Sequence, residues 1–124
     1  MATATLYKWD DVEAEQLKKG VRRRFVHGKS AMVAYFDIAK GEIVPEHSHH
    51  NEQISYIVSG ALKFVLGGKD EMIVRGGEVL VIPSNLSHSA EALEDCVAID
   101  VFSPPRQDWI DKTDSYIRET VTTN

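Results

Sequence analysis

The chain has 124 residues, of which 43% are hydrophobic and 27% charged, so it fits one globular domain with one hydrophobic core. Its 14 basic and 19 acidic side chains give a net charge of −5, which argues against a nucleic-acid or membrane partner held by non-specific attraction. The single cysteine, Cys96, has no partner for an internal disulfide, and the first residues lack the charged-then-apolar pattern of a signal segment. We therefore expect a cytoplasmic protein.

The first predicted element is a short helix over residues 9–19, which Asp10 or Asp11 would cap and Gly20 would end. The three arginines at positions 22–24 are expected to lie on a solvated edge of the fold rather than to form a nucleic-acid patch. Short runs rich in β-branched and aromatic residues follow, at residues 23–28, 32–38, 53–60, 61–67, 71–76, 78–83 and 96–102. Turn-forming glycines and prolines separate these runs, a spacing typical of an all-β barrel or sandwich.

The last strand run begins at Cys96, for which a small buried thiol is the usual role and a reactive nucleophile the rarer one. Beyond it, Pro104 and Pro105 cannot continue a strand. The remaining tail is therefore predicted to wrap the surface or a partner chain.

Residues 41–60 contain three histidines and a Glu-Gln pair, which are side chains that can bind a metal ion or take part in catalysis. Strand residues two apart share a face, which puts His47, His49 and Gln53 on one face, and His50 and Glu52 on the other. Imidazole nitrogens and an amide oxygen are reasonable ligands for a metal ion. By itself the histidine cluster fits a polar loop about as well as a metal site.

A second segment, residues 76–92, strengthens the metal interpretation. Its apolar strand ends at Pro83, a Ser-Asn turn follows, and His88 comes where a hairpin partner would deliver a third imidazole. One histidine after a turn is more often a surface residue than a ligand. Two matched segments, separated by a hairpin through Gly67 and Gly68, favour a shared metal site.

The two segments together resemble the paired motifs of the cupin superfamily. The first motif is carried by Gly41, His47, His49, Gln53 and Gly60, and the second by Gly77, Pro83 and His88. Gln53 stands where cupins usually place a glutamate, Asn85 replaces a glycine, and Ala92 replaces an asparagine. Asparagine tolerates positive φ, so the turn at Asn85 should survive.

The resemblance implies an all-β, small single-domain cupin over residues 1–124, a jelly-roll barrel (double-stranded β-helix) preceded by the short helix. Its barrel core is expected at about residues 30–103 and its tail at 104–124. The resemblance also implies one divalent metal ion (Ni, Zn, Mn or Fe) and pairing as a homodimer, often by strand exchange. The metal ligands it implies are His47, His49, Gln53 and His88.

A narrower resemblance, to cupins of pectin degradation, comes from Gln53 combined with residues 88–110. Such cupins take the 4,5-unsaturated uronate monosaccharides that pectin and alginate lyases release, and convert them to the linear keto form. The resemblance thus implies a metal-assisted isomerase-type enzyme whose partner is a small-molecule uronate.

Three further residues fit that chemistry. In residues 96–102 one face of the strand is apolar and the other carries Ala98, Asp100 and Phe102. A mid-strand carboxylate is costly to bury unless it is paired or used, so Asp100 is either a hydrogen-bonded core residue or an acid/base group. Arg106 is either a surface arginine or the partner of the substrate carboxylate, and Phe102 would form the wall against the sugar.

Two other functions remain open at this stage. One is a cupin that binds a sugar without chemistry. Regulators of that type normally carry a DNA-reading helical domain, for which this chain has no residues left. The other is an oxygen-dependent dioxygenase, which would require iron and consume oxygen.

Overall fold

The computed structural model describes residues 2–118, and its regular secondary structure is almost entirely antiparallel strands in two sheets. A six-stranded sheet has the order β1-β2-β3-β10-β5-β8, and a four-stranded sheet has the order β4-β9-β6-β7. The strands are β1 (Glu15–Lys18), β2 (Val21–His27), β3 (Met32–Ile38), β4 (Ile43–His47), β5 (Glu52–Ser59), β6 (Ala61–Leu66), β7 (Asp70–Arg75), β8 (Val79–Ile82), β9 (His88–Ala92) and β10 (Cys96–Ser103).

The core lies between the two sheets because the strands alternate buried and outward side chains. In β3 every second residue from Met32 to Ile38 is buried, and its register with β10 places Phe102 opposite Met32 and Ala98 opposite Phe36. The second sheet contributes Leu62 and other apolar residues to the same cluster. The two sheets therefore close on a shared apolar interior, which confirms the predicted all-β cupin barrel.

The predicted N-terminal helix is largely wrong. Only Trp9–Asp11 form a 3₁₀ turn, and Glu15–Lys18 form β1. This strand pairs with β2, and in that position Leu17 is only 3% exposed. Pairing with a neighbouring strand thus outweighs the helix propensity of a segment this short. Gly20, with φ of 84°, lies in the turn between these strands rather than ending a helix.

The prediction that the three arginines share a solvated edge is wrong for one of them. Arg22 is exposed, whereas Arg23 points into the molecule and is fully buried. Its guanidinium is paired with Asp114 at 2.8 Å and with Glu15 at 3.0 Å. The alternation of β2 brings the middle arginine inside, and two carboxylates compensate its charge.

After β10 the chain leaves the sheet and covers one end of the barrel. A short helix, α1 (Gln107–Ile110), is followed by turns up to residue 118. Trp109, Asp114 and Ile117 are buried, so this segment packs against its own barrel. Residues 119–124 of the predicted tail lie outside the described residues. Within residues 2–118, no helix has the length and apolar character needed to cross a membrane.

Two local predictions are confirmed. Cys96 is 3% exposed and donates weakly to the carbonyl oxygens of Ala61 and Glu94, and burial raises the pKa of its thiol. It is therefore a small buried thiol. Asn85 adopts the left-handed conformation, with φ of 68°, that a glycine would otherwise supply.

Candidate metal centre and active site

Three histidines meet at the barrel end that the C-terminal segment covers. His47 ends β4 and is the register partner of His88, the first residue of β9. His49 follows two residues after His47, in the loop that leads to β5. One ring nitrogen from each histidine lies within 4.8 Å of the others. The pairing of two strands distant in sequence therefore assembles the cluster.

All three imidazoles are oriented by backbone carbonyls. Nδ1 of His47 lies 2.8 Å from the carbonyl oxygen of Pro45, Nδ1 of His49 lies 3.0 Å from that of Asn51, and Nδ1 of His88 lies 2.9 Å from that of Leu86. A carbonyl only accepts, so each Nδ1 carries the proton and donates it. Each Nε2 is consequently left with a free lone pair, which is the arrangement of metal-binding histidines.

Gln53 presents its amide oxygen to the same point. Its Nε2 donates to Ser55 Oγ at 2.9 Å and lies 3.5 Å from Asp100 Oδ2, so Oε1 faces the histidines. Gln53 Oε1 and His49 Nε2 are 3.1 Å apart. With His49 protonated on Nδ1, both of these atoms are acceptors. Two lone pairs at this distance repel each other unless a cation lies beside them.

Electrostatics keep the cluster neutral. Burial lowers the pKa of His47 to about 3 and that of His49 to about 4, and it also lowers the pKa of His88. The charge of Arg106 acts in the same direction on all three. At neutral pH the imidazoles are therefore unprotonated at Nε2 and available as ligands.

The donor set fits a divalent metal ion. Among the described residues, His88 Nε2 is buried without any hydrogen-bond partner. A buried polar atom of this kind requires explanation, and a metal ion held by the three histidines would supply its missing partner. Nitrogen donors of this type suit Zn, Ni, Fe and similar ions and do not select one of them.

Asp100 and Phe102 line a cavity beneath the histidines. This cavity has a volume of about 50 Å³ and is bordered by His47, His88 and Gln53 as well. Burial raises the pKa of Asp100 to about 6, against the opposing effects of Ser55 and the Arg106 charge. Phe102 is 1% exposed and lies edge-on to His49, with ring centroids 5.7 Å apart. The face of β10 predicted to carry chemistry thus points into the site.

Arg106 also belongs to the site and is not a surface residue. It is 2% exposed and lines both the inner cavity and an outer cleft of about 280 Å³. Its Nε and Nη2 donate to the two carboxylate oxygens of Asp108 at 2.9 and 2.8 Å. Its Nη1 is buried and has no partner within the described part of the chain. One donor of the guanidinium therefore remains free for a ligand.

Of the two residues assigned to the opposite face, His50 borders the outer cleft, whereas Glu52 borders neither the cavity nor the cleft. His50 and Glu52 are both exposed. Asn51 was not predicted from the sequence; it is 2% exposed and donates through Nδ2 to the carbonyl oxygens of Pro104 and Pro105. Tyr116, whose ring stacks on His47, was not predicted either. The position of Asn51 between two site residues was a usable signal, whereas Tyr116 had none.

Comparison with known proteins agrees with this fold and site. The Cupin domain family matches residues 34–102, more than half of the chain, and the protein belongs to that family. The Pectin degradation protein KdgF of Dickeya dadantii is 31% identical over 104 residues, covering 82% of this chain and 94% of that protein.

Solved structures extend the comparison. The structure of KdgF from Halomonas sp. has a TM-score of 0.79 at 29% identity and covers 86% of this chain and 99% of that one. An RmlC-like cupin from Shewanella frigidimarina also has a TM-score of 0.79, but at 24% identity, with coverage of 86% and 96%, it supports the fold alone. The cupin resemblance seen in the sequence is thus confirmed, and with it the similarity to KdgF.

Proposed function

We propose that this protein is a metal-dependent enzyme that converts 4,5-unsaturated uronate monosaccharides to the linear ketonised form, 4-deoxy-5-hexosulose uronate. The observation that carries the proposal is a cluster of three imidazoles, two of which line one cavity together with a carboxylate and an arginine that has an unpartnered donor. The similarity to KdgF, a pectin degradation protein by name, supports the choice of substrate.

The proposed reaction moves one proton and needs no oxidant. The hydroxyl on C1 of the cyclic hemiacetal loses its proton, the C1–O5 bond breaks, and an aldehyde forms at C1. The ring oxygen then belongs to an enol at C5, and a proton added at C4 converts that enol to a ketone. Asp100 is the proposed carrier, which takes the proton from oxygen and returns a proton to carbon.

The other residues hold the sugar in place. We assign Arg106 to the substrate carboxylate because it lines the cavity, its Nη1 has no partner among the described residues, and a guanidinium matches a carboxylate. Phe102 supplies an apolar wall beside Asp100.

The proposed metal ligands are His47, His49, Gln53 and His88. When bound, a divalent ion supplies Lewis-acid stabilisation of the negative charge that develops on oxygen. The four donors are all neutral, so they leave the full positive charge of the ion available for that purpose.

The test is incubation of the metal-loaded protein with the unsaturated galacturonate and mannuronate monomers. Loss of the ring double bond is followed by ultraviolet absorbance, and NMR identifies the product as linear. A sample without enzyme measures spontaneous opening, and the His47→Ala/His49→Ala variant measures the reaction without the metal centre. The proposal predicts turnover under argon at the same rate as in air.

Each alternative function gives a different result in this experiment. An oxygen-dependent dioxygenase would consume oxygen and stop under argon. A sugar-binding cupin would bind the uronate and leave its double bond intact. A wild-type protein that is fully metal-loaded and inert toward both monomers would refute the proposed function.

We also propose that the protein is a homodimer formed through the outer face of the six-stranded sheet. Strand register aligns Val101, Ile54 and Val81 in one outward row, and Ile99, Tyr56 and Val79 in the next. Val79 and Val81 are 57% and 55% exposed. Each copy carries a net charge of −5, and contact through these uncharged rows does not place the carboxylates of one copy against those of the other. We further propose that the protein is cytoplasmic, as expected from the sequence.

A further inference from the structure

Tyr116 borders the histidine cluster although it lies in the C-terminal segment, ten residues after Arg106 in the sequence. Its ring stacks on His47, with ring centroids 4.3 Å apart and an interplanar angle of 26°. Together with His47 and Arg106, it lines both the inner cavity and the outer cleft. Tyr116 is therefore a wall between the two spaces.

The hydroxyl of Tyr116 has two donors from the protein. Arg106 Nη2 donates to it at 3.0 Å, and Trp109 Nε1 donates to it at 3.3 Å. Neither nitrogen can accept a hydrogen bond, so the hydroxyl oxygen is the acceptor in both contacts. The hydroxyl thus fixes one edge of the Arg106 guanidinium.

The remaining contacts of Arg106 leave a single direction open. Arg106 donates from Nε and Nη2 to Asp108, and Nη2 donates its other hydrogen to the Tyr116 hydroxyl. The rings of Phe102 and Trp109 lie 5.2 and 4.8 Å from the guanidinium carbon. The free Nη1 is consequently held in one orientation, which is the condition for recognising a carboxylate at low entropic cost.

The segment that carries Tyr116 is anchored rather than loose. Two residues earlier, Asp114 forms an ion pair with Arg23 of β2 at 2.8 Å, and both side chains are fully buried. Arg118 binds the other oxygen of Asp114 at 3.0 Å and also pairs with Glu15 at 2.9 Å. The chain is therefore anchored on both sides of Tyr116, at Asp114 and at Arg118, and these anchors hold its ring against the histidine cluster.

We propose that Tyr116 is a positioning residue which, with Asp108, aims Arg106 at the carboxylate of an acidic sugar. This inference rests on the proposed function for the type of sugar, but not on the proposed chemistry. It assigns Tyr116 a role in selecting acidic over neutral sugars. A residue that only closes the cavity would affect both kinds of sugar equally.

The experiment measures binding on the full-length, metal-loaded protein by calorimetry. The probes are D-galacturonate, which carries the carboxylate, and D-galactose, which does not. Wild type should prefer galacturonate. Tyr116→Phe keeps the ring on His47 and removes the hydroxyl, so galacturonate should bind about three- to tenfold more weakly, as expected for one lost hydrogen bond. Galactose binding should not change.

Two further variants test the same contact. Asp108→Asn weakens the other support of Arg106 and should give the same selective loss. Tyr35→Phe is the matched control, because Tyr35 packs against Trp9 with ring centroids 5.6 Å apart on the outside of the sheet. This control should bind both sugars as wild type does. Thermal unfolding of each variant shows whether the fold is intact.

Kinetics with unsaturated uronates separate positioning from structural damage. Tyr116→Phe should raise KM by the same three- to tenfold and leave kcat within about twofold. In an Arg106→Lys background the same change should have little further effect, because residues that act through one contact are not additive.

Several results would overturn the inference. Equal weakening of galacturonate and galactose would make Tyr116 a wall and nothing more. If neither sugar binds more weakly, Arg106 is positioned without the Tyr116 hydroxyl. A wild type that shows no preference for galacturonate would remove carboxylate recognition from the site. A wild type that is inert toward unsaturated uronates but keeps a Tyr116-dependent preference would refute the proposed function and leave this inference standing.

Discussion

Gln53 and Glu52 are neighbours on β5 with opposite environments, and this makes them a matched pair for testing the metal centre. Gln53 is 5% exposed and faces the histidines, whereas Glu52 is exposed on the other face of the strand. A carboxylate is ordinarily the better ligand for a divalent ion. We nevertheless predict that Gln53→Ala weakens metal binding strongly and that Glu52→Gln does not.

The magnitude follows from the geometry of the site. Gln53 Oε1 lies 3.1 Å from His49 Nε2 and supplies one of four proposed donors. Changing a residue that merely supports a ligand costs about 10- to 100-fold in metal affinity. Loss of a ligand itself should therefore cost about 100-fold, or roughly 2.7 kcal/mol. Glu52→Gln removes a screened, solvent-exposed charge and should change the affinity by less than about twofold.

The assay is competition for the metal against a chelator of known affinity, followed by elemental analysis of the recovered protein. Gln53→Ala also leaves Ser55 Oγ without its 2.9 Å donor, so thermal unfolding is measured in the metal-free state to separate loss of the ligand from loss of the fold. The reverse pattern, with metal lost from Glu52→Gln and retained by Gln53→Ala, would refute the assignment. It would mean that the functional register of β5 is off by one residue.

Three other changes have definite expected outcomes. Asp100→Asn keeps the shape of the side chain but removes its proton-accepting oxygen, so kcat on unsaturated uronates should fall about 10²- to 10⁴-fold with metal content retained; a rate near wild type would exclude Asp100 from the reaction. Asp114→Ala leaves Arg23 buried with only Glu15 at 3.0 Å, so the free energy of unfolding should fall by about 3 kcal/mol in urea melts, whereas exposed Asp111→Ala should change it by less than about 0.5 kcal/mol. Val81→Lys should convert the proposed dimer to a monomer in light scattering, whereas Ile73→Lys, at a 41% exposed position on the other sheet, should not; identical masses for both variants would exclude this face as the interface.

The sequence by itself determined the features that depend on local periodicity. The seven runs assigned as strands correspond to β2, β3, β5, β6, β7, β8 and β10. Counting every second residue also grouped His47, His49 and Gln53 apart from Glu52, although His49 lies in the loop between β4 and β5 and not in a strand. The role of these residues as ligands stays a prediction, and the loop between the two sheets is what brings them to one place.

Elements stabilised by distant partners were beyond such local patterns. β1 was expected to be helical because its pairing with β2 is not visible in its own residues. β4 and β9 were not assigned as strands either, although their pairing is what brings His47 next to His88. Each of these strands is short, and its hydrogen-bond partner in the fold, rather than its propensity, decides its conformation.

The C-terminal segment shows most clearly what only the tertiary structure decided. Arg23 and Asp114 are 91 positions apart, and burial of their ion pair turns a predicted solvated edge into an anchor inside the molecule. That anchor holds Tyr116 on His47, a contact for which neither residue has a signal in its own neighbourhood. The strand pattern depends on side chains one or two positions apart in the sequence. A buried charge pair and an aromatic stack depend instead on which surfaces the folded chain brings together.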